Sequence, residues 1–89
     1  MAALVLFTAD WASPICGPYR AVVSSAAGEL GWELVEADID SEPTLAQQHG
    51  LLTVPSVGLL GAPELPLIVG AIPASALVAL ARERFHLGE

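Results

Sequence analysis

The apolar positions change period along the chain, and each change marks an element. Ala2-Ala3-Leu4-Val5-Leu6-Phe7 is a continuous apolar run of strand length, the pattern of a central strand covered on both faces. Thr8 to Ile15 reads as a loop carrying Asp10, Trp11 and Pro14. From Pro18 the period lengthens. Val22, Ala26 and Leu30 recur at i, i+4 and i+8, with Val23 and Ala27 beside them and Ser24, Ser25 and Glu29 elsewhere, which predicts an amphipathic helix. Pro18 suits its first turn, where a missing N–H costs nothing, and Gly31 suits its end.

Glu33-Leu34-Val35-Glu36-Ala37-Asp38-Ile39 alternates as a second strand. Asp40 or Ser41 is placed to cap a short helix through Gln48, which Gly50 would close. Val54 to Leu60 reads as a third strand, entered through Thr53-Val54-Pro55, and Gly61-Ala62-Pro63-Glu64 as a turn. Leu65 to Val69 returns as a fourth strand. Pro66 cannot donate to a ladder, so this strand belongs at a sheet edge. Pro73 opens a last helix with Leu77, Leu80, Ala81 and Phe85 on one stripe and Arg82 exposed. The order is β-α-β-α-β-β-α, an α/β arrangement with a four-stranded mixed sheet flanked by helices, in one domain spanning residues 1–89. A right-handed crossover makes the first two strands parallel, and the last two form an antiparallel hairpin.

Composition narrows the function. The chain has 89 residues, 54% hydrophobic and 15% charged, which suits one small packed domain and not a disordered chain. Its apolar stretches fall short of the about 18 residues of a membrane span, and no basic residue precedes the first of them, so the expectation is a soluble cytoplasmic protein without a secretory signal. Ten acidic residues face three basic ones, for a net charge of −7, with no lysine. Nucleic acid is therefore not an expected partner. The single cysteine, Cys16, excludes an internal disulfide, and His49 and His86 make no familiar metal spacing with it. No metal or other cofactor is implied.

Cys16 is the candidate reactive atom, because it lies where a strand hands over to a helix. Unpaired N–H groups and the positive end of the helix dipole favour a thiolate there. Arg20, one turn on, adds to that effect, and Asp10 in the loop opposes it. The competing reading of Cys16 is a buried, inert small residue. Trp32 reads as packing, His49 as a surface cap residue and His86 as part of a terminus. Asp38 and Asp40 read as strand-end and cap residues.

Cys16-Gly17-Pro18-Tyr19-Arg20 resembles the Cys-Gly-Pro-Cys motif and following basic residue of the thioredoxin-like family. Thr53-Val54-Pro55 resembles the loop whose proline is cis in that family and faces the active cysteine. Val69-Gly70-Ala71 resembles the stretch before its last helix, and Phe7-Thr8-Ala9-Asp10-Trp11 its aromatic lead-in. The likeness covers nearly the whole chain in the right order. It implies a trimmed, glutaredoxin-sized thioredoxin-like fold and a thiol–disulfide oxidoreductase. It places Gly17, Pro18, Tyr19 and Arg20 around the thiolate, and Trp11, Ile15, Thr53, Val54, Pro55, Gly70 and Ala71 on a substrate surface.

The departures bear on mechanism. Tyr19 stands where the family has its second, resolving cysteine, and Leu6 where it has a buried aspartate. Ala12 to Ile15 reads as an insertion. A second register stays open, in which Ser13-Pro14-Ile15-Cys16 is the motif and Cys16 takes the resolving position. A lone Cys16 would form mixed disulfides with protein thiols or a small thiol, released by a second molecule, and the protein would work as a monomer. Two alternatives stand beside this: a redox-inactive protein-binding module on the same fold, and a glutathione-binding glutaredoxin-like protein. The last lacks the family's acidic residue after Gly70-Ala71, where Pro73 and Ser75 stand, and has only Arg20 as a nearby cation.

Overall fold

The computed structural model describes residues 2–9, 11, 13–50 and 53–85, apart from the side chains of Ser13, Ile15 and Cys16. Its elements run β1 (Ala3–Thr8), α1 (Ser13–Leu30), β2 (Glu33–Asp38), α2 (Pro43–Gln48), β3 (Ser56–Leu59), β4 (Ile68–Val69) and α3 (Ala74–Arg84). The sheet order is β2-β1-β3-β4. β1 pairs in parallel with β2 and antiparallel with β3, and β3 pairs antiparallel with β4. The expected element order, the parallel first pair and the terminal hairpin with β4 at an edge are all present.

The continuous apolar run of β1 has two covered faces, which is why it does not alternate. Leu4, Val5, Leu6 and Phe7 are all wholly buried. Leu4 and Leu6 join the main core with Tyr19 and Val23 of α1, Leu77 of α3 and Phe85 at the C-cap of α3. Val5 and Phe7 turn the other way, to Ala37 and Ala46. One face of the sheet thus carries two long helices, and the other carries the six-residue α2.

The largest departure from expectation is the start of α1. The helix begins at Ser13 and encloses Pro18, whereas the sequence reading began it at Pro18. Either proline can open a helix, and the chain uses the earlier one: Pro14 sits in the first turn, where its missing N–H has no partner to lose. The buried stripe of α1 runs Tyr19, Val23, Ala26 and Ala27, with Val22 and Leu30 only half-buried. The stripe is rotated by one position from the one centred on Val22. At its other end α1 closes as expected at Gly31, whose φ is 74°. Gly31 N–H donates to Gly28 O at 3.2 Å and Trp32 N–H to Ala27 O at 2.9 Å, the paired bonds of a Schellman motif.

The other elements are shorter than the pattern suggested. Neither Asp40 nor Ser41 caps α2. Asp38 instead organises the turn, its carboxylate accepting the Asp40 N–H at 2.8 Å and its carbonyl those of Ser41 and Glu42. The helix then starts at Pro43 behind Glu42. β4 keeps only Ile68 and Val69 of the expected five residues, because Pro66 has no N–H to place in a ladder. The peptide between Val54 and Pro55 is cis. Among the described residues, no helix is long and apolar enough to cross a membrane.

Candidate functional site

The registers set out one end of the sheet. Thr8 pairs with Asp38, Phe7 with Ser56 and Ser56 with Val69, so Pro55 and Gly70 both lie just past the ladder at the end where β1 leads to α1. Gly70 N–H donates to Pro55 O at 3.0 Å and ties the two segments together. Ser56 Oγ closes the Pro55 turn on the Thr53 carbonyl at 2.8 Å. Gly70 has a φ of 92°, which a residue with a Cβ adopts only with strain. That turn sends Ala71, Ile72 and Pro73 back against Pro18, Tyr19 and Val22, with a cleft of about 340 Å³ between them.

Cys16 is the fourth residue of α1. It closes the first turn, behind the positions whose N–H groups lack intrahelical acceptors, where the dipole still favours an anion. The exposure of its sulfur, and the contacts of Ile15, fall outside the described residues, as do Asp10, Ala12 and His86. Gly17 and Pro18 are exposed. Three residues after Cys16, Tyr19 is only 3% exposed and belongs to the main core. Its hydroxyl is buried without a hydrogen-bond partner among the described residues. Burial pushes the phenol pKa up, and the Ile72 backbone pulls it partway down. Arg20 is engaged elsewhere. It forms an ion pair with Glu36 of β2, both side chains being exposed. Leu6 is wholly buried against α1 and α3 in apolar surroundings.

The remaining sequence candidates divide by exposure. Trp11 is 70% exposed and so is not core. Thr53 and Ala71 are exposed, Gly70 is half-buried and Pro55 is buried. Val54 is half-buried and packs on Ala9. Trp32 packs at the margin of the main core. The fold thus brings Pro55, Gly70 and Ala71 together, and sets Ala71 beside Pro18 and Tyr19. Arg20 points to β2 instead.

The expected surface position of His49 is not what the structure shows. His49 is the C-cap of α2, but it is not at the surface: it is 6% exposed. Its ring lies 5.3 Å from that of Phe7 at an interplanar angle of 60°. Its Nδ1 has no hydrogen-bond partner among the described residues. Burial lowers its pKa, and the Glu64 charge raises it in part. The signal that would have found it is Gly58. A Cβ there would lie 3.1 Å from His49 Nδ1 and 2.9 Å from Leu67 Cδ2, so a glycine inside a strand marks a close approach. His49 floors a second cleft of about 340 Å³ that reaches Glu64, Leu67 and Val69. Among the described residues, no cluster of three or more His, Cys, Asp or Glu side chains is placed to hold a metal.

Comparison with known proteins gives a consistent result. The chain is 36% identical over 80 residues to a thioredoxin from Streptomyces clavuligerus, covering 84% of this chain and 71% of that one. It is 32% identical over 75 residues to a thioredoxin from Pyropia yezoensis, covering 76% and 69%. A solved structure of a mutant thioredoxin from Halobacterium salinarum superposes with a TM-score of 0.77 at 28% identity, over 99% of this chain and 78% of that one. No family model matches the chain.

Proposed function

Because this chain belongs to the thioredoxin family, we propose that it exchanges thiols and disulfides through Cys16 alone. The Cys16 thiolate attacks one sulfur of a disulfide R–S–S–R′, forming Cys16–S–S–R and releasing R′–S⁻. A second thiolate, R″–S⁻, then attacks the R sulfur, giving R–S–S–R″ and restoring the Cys16 thiolate. Atoms and electrons balance: the R″ sulfur is oxidised as the R′ sulfur is reduced, and a further external thiolate that displaces R–S⁻ from R–S–S–R″ completes the two-electron reduction of the original disulfide.

The observation that carries this reading is the location of Cys16 in the first turn of α1, at the sheet end where Pro55 and Gly70 are tied together. Around that point, Val54, Pro55, Gly70 and Ala71 would line an extended substrate segment, with Trp11, Ile15 and Thr53 at its rim. Gly17 and Pro18, exposed beside Cys16 in α1, would leave open space next to the sulfur. Arg20 and Tyr19 complete the motif, although the pairing of Arg20 with Glu36 leaves the helix dipole as the main support for the thiolate. The substrate would be a protein or small-thiol disulfide. The protein acts as a monomer, in a reducing compartment such as the cytoplasm, where single thiols stay free.

Alkylation by iodoacetamide followed against pH tests the reading. The expected result is a fast reaction with a midpoint below the about 8.5 of a free cysteine, abolished in Cys16→Ser. A slow reaction, or a midpoint above about 9, overturns it. A second reading, a redox-inactive binding module on the same scaffold, is favoured by the burial of Tyr19 at the place of a resolving cysteine. A partner that protects the Pro55–Ala71 surface as well in Cys16→Ser as in the parent, while Cys16 alkylates no faster than a free cysteine, would establish it. Glutathione binding has less support, since Arg20, the nearby cation, is already paired.

A further inference from the structure

β2 is an edge strand, and its hydrogen-bonding groups divide by position. Glu33 N–H donates to Ala2 O at 3.1 Å and Ile39 N–H to Thr8 O at 2.9 Å, so residues 33, 35, 37 and 39 turn their backbone toward β1. Because the direction alternates along a strand, Leu34, Glu36 and Asp38 turn theirs outward. The carbonyl of Asp38 is taken by the following turn. The N–H groups of all three residues and the carbonyls of Leu34 and Glu36 remain, and no strand lies on that side among the described residues. Leu34 and Val35, one on each face of the sheet, are half-buried at this margin and would be covered further by an added strand.

The charge around this edge selects its occupant. Glu33, Glu36 and Asp38 of β2, with Asp40 and Glu42 in the turn that follows it, are five of the chain's ten acidic residues. Only Glu36 among them has an ion-pair partner, Arg20, among the described residues. A second copy of the chain would bring a like-charged edge against this one, which is the ordinary way an exposed edge strand is kept from self-pairing. An extended segment with alternating lysine or arginine meets no such repulsion, and cross-strand opposite charges add to the ladder.

We infer that the outer edge of β2 is a strand-addition site for a basic, extended segment of a partner protein. This docking is independent of thiol chemistry, and it survives in Cys16→Ser. The probe is a short peptide alternating lysine and valine, compared with one alternating glutamate and valine, read by amide hydrogen exchange at single-residue resolution. The lysine peptide is expected to slow exchange at Leu34, Glu36 and Asp38 while leaving Val35 and Ala37 unchanged, and the glutamate peptide to do nothing. Glu36→Pro removes one outward N–H without touching the β1 ladder, and it should weaken the lysine peptide by about tenfold or more. Glu36→Gln, which keeps the N–H, should weaken it less. Doubly substituted Glu33→Lys, Glu36→Lys protein should prefer the glutamate peptide. The inference is overturned if the lysine peptide leaves these amides unprotected, or if it binds Glu36→Pro as well as the parent. Prior protection of the same amides in the free protein also overturns it: growing with concentration, it assigns the edge to a second copy, and independent of concentration, to the chain itself.

Discussion

His49 is a buried imidazole, and among the described residues Glu64 is the charge that acts on it. Phe7 of β1, Gly58 of β3 and Leu67 before β4 surround it with apolar atoms, and α2 carries no ionisable side chain. Its pKa is lowered in the folded state, so the unfolded chain binds the proton first. Its contribution to stability is therefore whole above the unfolded value of about 6.5 and is lost as pH falls below it. Urea unfolding at a series of pH values should show stability declining below about pH 6.5, with the decline reduced in His49→Phe. An unchanged slope would mean that other groups carry it. The burial was hidden from sequence reasoning because a histidine before a glycine at a helix end looks like a cap. Only the packing against Gly58 and Phe7 distinguishes the two. Tyr19 was hidden for a similar reason: it is read as a motif position, yet its place in the helical stripe makes it core.

At the scale of elements, α1 shows where pattern is sufficient and where it is not. Its end was legible, because Gly31 must take a positive φ that other residues resist. Its start was not, because Pro14 and Pro18 satisfy the same first-turn rule and the pattern does not choose between them. Gly31→Ala should keep the fold and cost about 1 kcal/mol, measured as a fall in the unfolding midpoint, and nothing lies within 4 Å of the added Cβ to increase it. A loss several times larger would show that the Schellman bonds to Gly28 and Ala27 had broken. The short strands were overextended for a different reason. Apolar runs such as Leu65 to Val69 record burial, and pairing needs N–H groups that Pro66 does not have.

Over the whole molecule, strand adjacency was legible through general rules: a crossover makes β1 and β2 parallel, and a hairpin makes β3 and β4 antiparallel. The position of β1 between β2 and β3 was less so, since the β1–β3 ladder joins residues far apart in sequence, Leu4 with Leu59 through Phe7 with Ser56. The candidate site was legible as a set of motifs, while the Arg20–Glu36 pair depends on how α1 lies over β2.

That same ladder means the chain consists of two contiguous halves, β1-α1-β2-α2 and β3-β4-α3, that share one core. Leu4, Leu6 and Val23 come from the first half, and Val57, Leu77 and Phe85 from the second. Neither can bury its apolar face alone. If the backbone is cut after Gly50, the fragments 1–50 and 51–89 should each be unstructured by circular dichroism and should regain the native spectrum on mixing. Failure to complement, or independent folding of either piece, would show that the halves are not bound chiefly through β1 and β3. A polypeptide of this design is, in effect, a heterodimer that happens to be covalently continuous.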